Sequence, residues 1–176
     1  MRLSGITPES TVDGPGLRFV IFTQGCLHQC PHCHNPESWT SDAGKEFSAR
    51  QVIRLLRQQK QTKRGITFSG GEPFLQPAEL VEVAFAARQM NWDVVTYTGF
   101  TYEELVKDKD SDRQALLSMT DILIDGKYIH QLRDMGLQFR GSSNQRIIDI
   151  AATQKYGQLI LWNEFYNQSK KVNSKI

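Results

Sequence analysis

The chain has 176 residues, 39% of them hydrophobic and 23% charged, the balance of one ordinary folded domain with enough apolar material for a core; a second folded domain is not expected. A net charge of +2 is too mild to point to nucleic acid or an acidic membrane. No stretch approaches the roughly 20 apolar residues that cross a bilayer, and the amino terminus lacks a signal-peptide core. The expectation is a cytoplasmic protein with neither nucleic acid nor membrane as a partner. Its three cysteines, Cys26, Cys30 and Cys33, all fall in one short stretch, a poor disulfide framework that suits a metal in a reducing compartment.

In chain order, the glycine-bounded apolar run Arg18–Thr23 reads as a strand buried on both faces. Residues 65–69, 93–98 and 121–125 repeat that signature more weakly. Helix starts are marked between them by capping-box spacing at Ser48 with Gln51, Thr101 with Glu104, and Ser111 with Gln114. Strands alternating with helices at these lengths predict an α/β fold with parallel pairing and helical crossovers. Residues 1–166 are expected to form the single domain, and 167–176, with Lys170, Lys171 and Lys175, a flexible polar basic tail.

The unusual residues fall after the strands. The cysteine loop follows the first, Ser69-Gly70-Gly71-Glu72-Pro73 the second, Tyr97-Thr98-Gly99 the third, and Asp125-Gly126-Lys127 the fourth. In a parallel α/β sheet or barrel these segments emerge at one rim, the carboxyl end of the strands, where such folds place their active sites. Four separate motifs thus converge on one site.

Thiolates are soft donors that suit zinc, copper(I) or iron-sulfur clusters, and three protein ligands leave one coordination position open. A fourth ligand from His28, His32 or His34 would instead close a structural zinc site, and the loop alone leaves both readings open. The paired glycines of 69–73 make a turn by default; beside the cysteine loop they let backbone groups approach a ligand closely. Asp125-Gly126-Lys127 reads either as a surface turn or as a lysine offered to a carboxylate and oriented by Asp125. Thr98 adds a hydroxyl to the rim.

Cysteines spaced CxxxCxxC after the first strand, with Ser-Gly-Gly-Glu-Pro after the second, resemble the radical S-adenosylmethionine superfamily. The resemblance implies a partial, open parallel β/α barrel and a 4Fe-4S cluster held by Cys26, Cys30 and Cys33, with one iron not ligated by cysteine. S-adenosyl-L-methionine would chelate that iron through its amino and carboxylate groups. Ser69, Gly70, Gly71 and Glu72 are assigned to the amino group, with Glu72 either binding directly or holding the loop, and Asp125 and Lys127 to the carboxylate. His32 stands where many members place an aromatic residue by the adenine, and Cys33 and His34 accompany it. Tyr97 occupies a place where some relatives carry an aspartate that helps bind a monovalent cation, so no such cation site is expected.

Residues 10–18 and 33–37 are similar to the activating enzymes of glycyl-radical proteins. Residues 97–100, 125–128 and 140–145 are similar to those that serve an anaerobic ribonucleotide reductase. The resemblance implies an enzyme that reductively cleaves S-adenosylmethionine to a 5'-deoxyadenosyl radical, which takes hydrogen from a glycine of the glycyl-radical subunit of anaerobic ribonucleoside-triphosphate reductase. A low-potential donor such as flavodoxin or ferredoxin would supply the electron. The alternatives are the activase of another glycyl-radical enzyme such as pyruvate formate-lyase and, more distantly, a zinc-binding interaction module. Asp13 is a candidate acceptor for the partner's backbone, or a plain turn residue before glycine. Arg140, Ser142 and Asn144 lie in a polar turn that either docks the partner's glycine segment or walls the adenosyl pocket.

Overall fold

A computed structural model describes residues 1–59 and 65–163. The elements run β1 (Arg2–Ser10), β2 (Arg18–Thr23), β3 (Lys45–Glu46), α1 (Ala49–Arg57), β4 (Gly65–Gly70), α2 (Pro77–Gln89), β5 (Asp93–Tyr97), α3 (Tyr102–Lys107), α4 (Ser111–Met119), β6 (Ile122–Asp125), β7 (Arg146–Asp149) and α5 (Ile150–Tyr156). They build one sheet in the order β3-β1-β2-β4-β5-β6-β7. The four central strands, β2, β4, β5 and β6, are parallel. The flanking pairs, β1 with β2, β3 with β1 and β7 with β6, are antiparallel. Among the described residues β3 and β7 are the two ends of the sheet, which does not close on itself.

The central strands carry apolar side chains on both faces, and the helical crossovers cover one of them. On one face Phe19, Ile21, Ile66, Phe68, Val94 and Leu123 meet Val52, Leu56, Leu80, Val83, Leu105 and Leu116 from α1 to α4. Each such side chain, fully buried, contributes about 1.5–3 kcal/mol. The opposite face carries a smaller cluster, Val95, Ile122 and Ile124, against Tyr97, Phe139, Ile147 and Trp162.

At the amino ends of the strands on that face lies Arg18, whose guanidinium is fully buried. It donates to Thr67 Oγ1 at 2.6 Å, Pro15 O at 3.0 Å and Ile66 O at 2.6 Å, and pairs with Asp93 Oδ1 at 2.7 Å. One side chain thus ties together the starts of β2, β4 and β5. Thr67 Oγ1 in turn donates to Asp13 O at 2.8 Å, which anchors the segment leading into β2.

The expected strands are present with ends shifted by a residue or so. Two of the three expected capping boxes are made, at Ser48 and Thr101. The third is corrected: α4 is capped by Asp110, whose carboxylate accepts from the backbone N–H of Asp112 and Arg113 at 2.9 and 3.1 Å. Gln114, expected to complete the box with Ser111, donates instead to Asp108 O at 2.9 Å and to Leu105 O. A carboxylate is favoured over a hydroxyl here because it also meets the positive end of the helix dipole. Accordingly, Asp110→Ala is expected to cost about 1 kcal/mol in urea unfolding, whereas Ser111→Ala changes the midpoint little; the reverse order would restore the serine box.

β1, β3, β7, α2 and α5 have no counterpart in the expected elements. β1 contains Gly5 and Pro8 and bulges twice against β2, features tolerated near a sheet edge and absent from an apolar central strand. Among the described residues no helix is long and apolar enough to cross a membrane. The expected basic tail from 167 onward lies outside the described residues.

Candidate metal centre

The carboxyl ends of β2, β4, β5 and β6 bring the four motifs to one rim, as the parallel order requires. The cysteine loop leaves β2 and is fastened where it begins: Gly25 N donates to Ser38 O at 2.8 Å, Cys26 N to Trp39 O at 3.0 Å, and the Gln24 amide to Glu37 O and Thr40 O at 2.9 and 2.7 Å. Gln29 and His32 take left-handed backbone conformations, with φ of 44° and 59°, and Cys33 N closes a turn onto Cys30 O at 3.0 Å. The cysteines are free and partly exposed.

Backbone N–H groups serve all three sulfurs. Those of His28 and Gln29 serve Cys26, that of Tyr128 serves Cys30, and Asn35 N lies 3.4 Å from Cys33 Sγ. Such donors favour a thiolate, and around iron-sulfur clusters they tune the potential. Burial nonetheless pushes the Cys26 and Cys30 thiols above the ordinary cysteine range, with the charge of Lys127 acting the other way at Cys30. A bound metal would offset that burial.

The histidines that would close a zinc site are engaged elsewhere. His28 Nε2 lies 2.9 Å from Glu72 Oε2, the His32 ring stacks on His130 at 4.2 Å, and His34 packs by Tyr128 at 5.4 Å. Among the described residues no three His, Cys, Asp or Glu side chains converge as a single metal ion requires. Three thiolates on one loop can each bind a separate iron of a polynuclear cluster, so the donor set fits such a cluster.

The glycine motif is bonded directly to the approach to the cysteines. Gly71 N donates to Thr23 O at 2.7 Å and Glu72 N to Gly25 O at 2.8 Å. A side chain on Gly71 would stand 2.3 Å from Gly25 O, so only glycine permits this approach. Glu72 is buried and both its carboxylate oxygens are taken: Phe74 N donates at 3.0 Å, Gly99 N at 2.8 Å, and Thr98 Oγ1 at 2.9 and 3.0 Å, in addition to His28. Gly99 has no room for a Cβ, which would lie 2.3 Å from the His28 ring.

The expected orientation of Lys127 by Asp125 is not what forms. Asp125 is buried opposite Arg146 in the β6–β7 register. It accepts from Arg146 Nε at 3.0 Å, from Arg146 Nη2 and from Tyr102 N at 2.8 Å. Arg146 also pairs with Glu103 at 2.7 Å. A buried carboxylate takes the fixed fork of a guanidinium, which meets both its oxygens, in preference to a flexible ammonium. Lys127 itself is exposed, and its carbonyl accepts from Asn144 Nδ2 at 2.8 Å.

A cavity of about 660 Å³ opens on the inner face of the sheet beside the cysteine loop. Of the residues singled out in the sequence, Asp13, Cys33, His34, Ser69 and Arg140 line it, together with Tyr97, Tyr128 and Phe139. Asp13 accepts from Ser10 Oγ at 2.5 Å, and burial, aided by the Asp13 charge, pushes the Tyr97 phenol above the ordinary tyrosine range. The 140–145 turn is fastened to the loop after β6: Ser142, fully buried, accepts from Ile129 N at 3.2 Å, and Gln145 donates to Gly126 O at 3.1 Å. Tyr128, His130 and Arg146 were not singled out as site residues, although Tyr128 directly follows the Asp-Gly-Lys motif.

The sequence model of a family described as a 4Fe-4S single cluster domain matches residues 12–148. An anaerobic ribonucleoside-triphosphate reductase-activating protein of Vibrio cholerae is 36% identical over 148 residues, 80% of this chain and 92% of that protein. One of Escherichia coli K12 is 32% identical over 146 residues, 78% of this chain and 92% of its own. A pyruvate formate-lyase-activating enzyme of Clostridium pasteurianum is 37% identical over 117 residues, but these are 62% of this chain and only 49% of that protein. With its three rim cysteines inside the matched span, and with about four-fifths of its length matching 92% of the length of these reductase-activating proteins, the chain belongs to their family, built on a 4Fe-4S single cluster domain.

Proposed function

We propose that the chain is a cytoplasmic activating enzyme that generates the glycyl radical of an anaerobic ribonucleoside-triphosphate reductase. Its four parallel strands form the wall of an open β/α barrel of the radical S-adenosylmethionine type. Cys26, Cys30 and Cys33 hold a 4Fe-4S cluster with one iron left to S-adenosylmethionine. Held by these cysteines and reduced by a donor such as flavodoxin or ferredoxin, the cluster would supply one electron to the sulfonium of S-adenosylmethionine, whose cleavage would give methionine and a 5'-deoxyadenosyl radical.

The chain's own part is to bind, orient and exclude water. The backbone of 69–71 receives the methionine amino group, with Glu72 and Thr98 holding that backbone from behind. Lys127 offers its charge to the carboxylate. His32, stacked on His130, lies beside the adenine, with Cys33 and His34 completing that wall. Asp125 keeps the β6 end in place through Arg146. Asp13 accepts from the backbone of the partner's glycine segment, and the turn carrying Arg140, Ser142 and Asn144 borders its path. Glycine's missing side chain permits the close approach that hydrogen transfer needs, and the unclosed sheet leaves a side through which a protein-sized substrate enters.

The observation that carries this reading is the cysteine loop's approach, through Cys33, to the 660 Å³ cavity bordered by Asp13 and Arg140. The test is anaerobic reconstitution with iron and sulfide, reduction with dithionite, and chromatography for 5'-deoxyadenosine. Electron paramagnetic resonance then follows with the reductase or with pyruvate formate-lyase added. 5'-Deoxyadenosine and a glycyl radical on the reductase are expected. A radical on pyruvate formate-lyase alone would reassign the partner, and no cleavage from a reducible cluster with the reductase present would overturn the reading.

A further inference from the structure

His28 belongs to none of the groups of residues assigned above to the cluster, the cofactor or the partner, yet it bridges two of the three loops that meet at Glu72. It sits midway between Cys26 and Cys30. Its backbone N–H serves the Cys26 sulfur, while its side chain reaches across to the glycine motif, with Nε2 2.9 Å from Glu72 Oε2. Both side chains are almost fully buried, 8% and 1% exposed. Glu72 is held from the third strand end by Thr98 Oγ1 and Gly99 N, and Phe100 abuts the His28 ring edge-on at 4.6 Å. Three loops that leave three different strands are therefore knotted at one carboxylate.

From this geometry we infer that His28 is a positioning residue, which through Glu72 sets the register between the cluster-bearing sulfurs and the backbone of 69–71. The inference rests on the functional reading above. A link is needed there because the backbone bonds from Gly71 to Thr23 and from Glu72 to Gly25 reach only the approach to the cysteines, whereas the His28–Glu72 contact holds the loop between Cys26 and Cys30. Removing the imidazole leaves Cys26 its backbone donors but frees the loop to drift from the glycine motif. A misplacement of about 1 Å between reacting groups lowers a rate by roughly a hundredfold.

The test compares the wild type with His28→Ala and His28→Gln, the latter keeping an N–H donor where Nε2 stands, all reconstituted anaerobically. Iron and sulfide content and the reduced-cluster resonance signal are recorded first. S-adenosylmethionine is then titrated against that signal, and 5'-deoxyadenosine formation is timed. The expected result is a full cluster in H28A with S-adenosylmethionine affinity weakened about tenfold and cleavage slowed by roughly a hundredfold, and values within a few-fold of wild type in H28Q. Unchanged affinity and rate in H28A would overturn the inference. If H28A loses its cluster, H28Q decides: recovery of cluster and cleavage supports the link, and failure of both overturns it. A wild type that holds a reducible cluster yet never cleaves the cofactor would defeat the functional reading instead, whatever the variants do.

Discussion

Alanine at Cys26, Cys30 or Cys33 is expected to abolish 5'-deoxyadenosine formation and to lower the iron and sulfide retained after anaerobic reconstitution. The reason is the absence of a substitute ligand. His28 is held against Glu72, His32 against His130, and His34 beside Tyr128, so a cluster short of one thiolate has no neighbour ready to replace it. The fold should survive the change. All three cysteines are only partly buried and none belongs to the apolar core, so the unfolding free energy of the metal-free variants in urea should stay within about 0.5 kcal/mol of wild type. A single variant that keeps a full four-iron complement and cleaves at the parental rate would sink the ligand assignment. A variant that unfolds would show the loop to be part of the core.

Arg18→Met is expected to produce the largest loss of stability of any single change outside the core, about 3–5 kcal/mol. Methionine fills much of the volume but leaves Ile66 O, Pro15 O and Thr67 Oγ1 without their donor and Asp93 without its buried counter-charge. The loss is read from urea unfolding of the metal-free protein. The double variant Arg18→Met with Asp93→Asn should recover part of it, because the carboxylate that lost the guanidinium is then gone. A loss under about 1 kcal/mol for the single variant would mean that water or a neighbouring group replaces the guanidinium. Since Thr67 also holds Asp13 O, the same change is expected to loosen the segment that borders the cavity.

The central strands were legible because burial on both faces leaves a continuous apolar signature, as in the run from Arg18 to Thr23. The alignment of four motifs along one rim followed from parallel pairing alone. The antiparallel edges were not legible: β1 carries glycine, proline and polar residues, and β7 is four residues long, so neither has a period that sets it apart from a loop. At the site, spacing identified the cysteines because their chemistry is local to one loop. Asp125 was given the wrong partner because Arg146 comes to it through the β6–β7 register, a long-range pairing that no local pattern announces. Ser111 reads as a cap because the box pattern counts a glutamine three residues on, while the structure turns that glutamine toward α3 and caps the helix with Asp110.

Gly99 has an ordinary backbone conformation, so it is glycine for want of space and not for freedom of rotation; the space is filled by the His28 ring. In evolutionary terms the two positions form a gate with one order of passage. A lineage can acquire a larger residue at 99 only after 28 has lost its ring, and once the ring is gone nothing at that contact selects for glycine. Positions far apart in the chain should therefore be inherited as a pair, and a change at 99 that is lethal in one background should be silent in another.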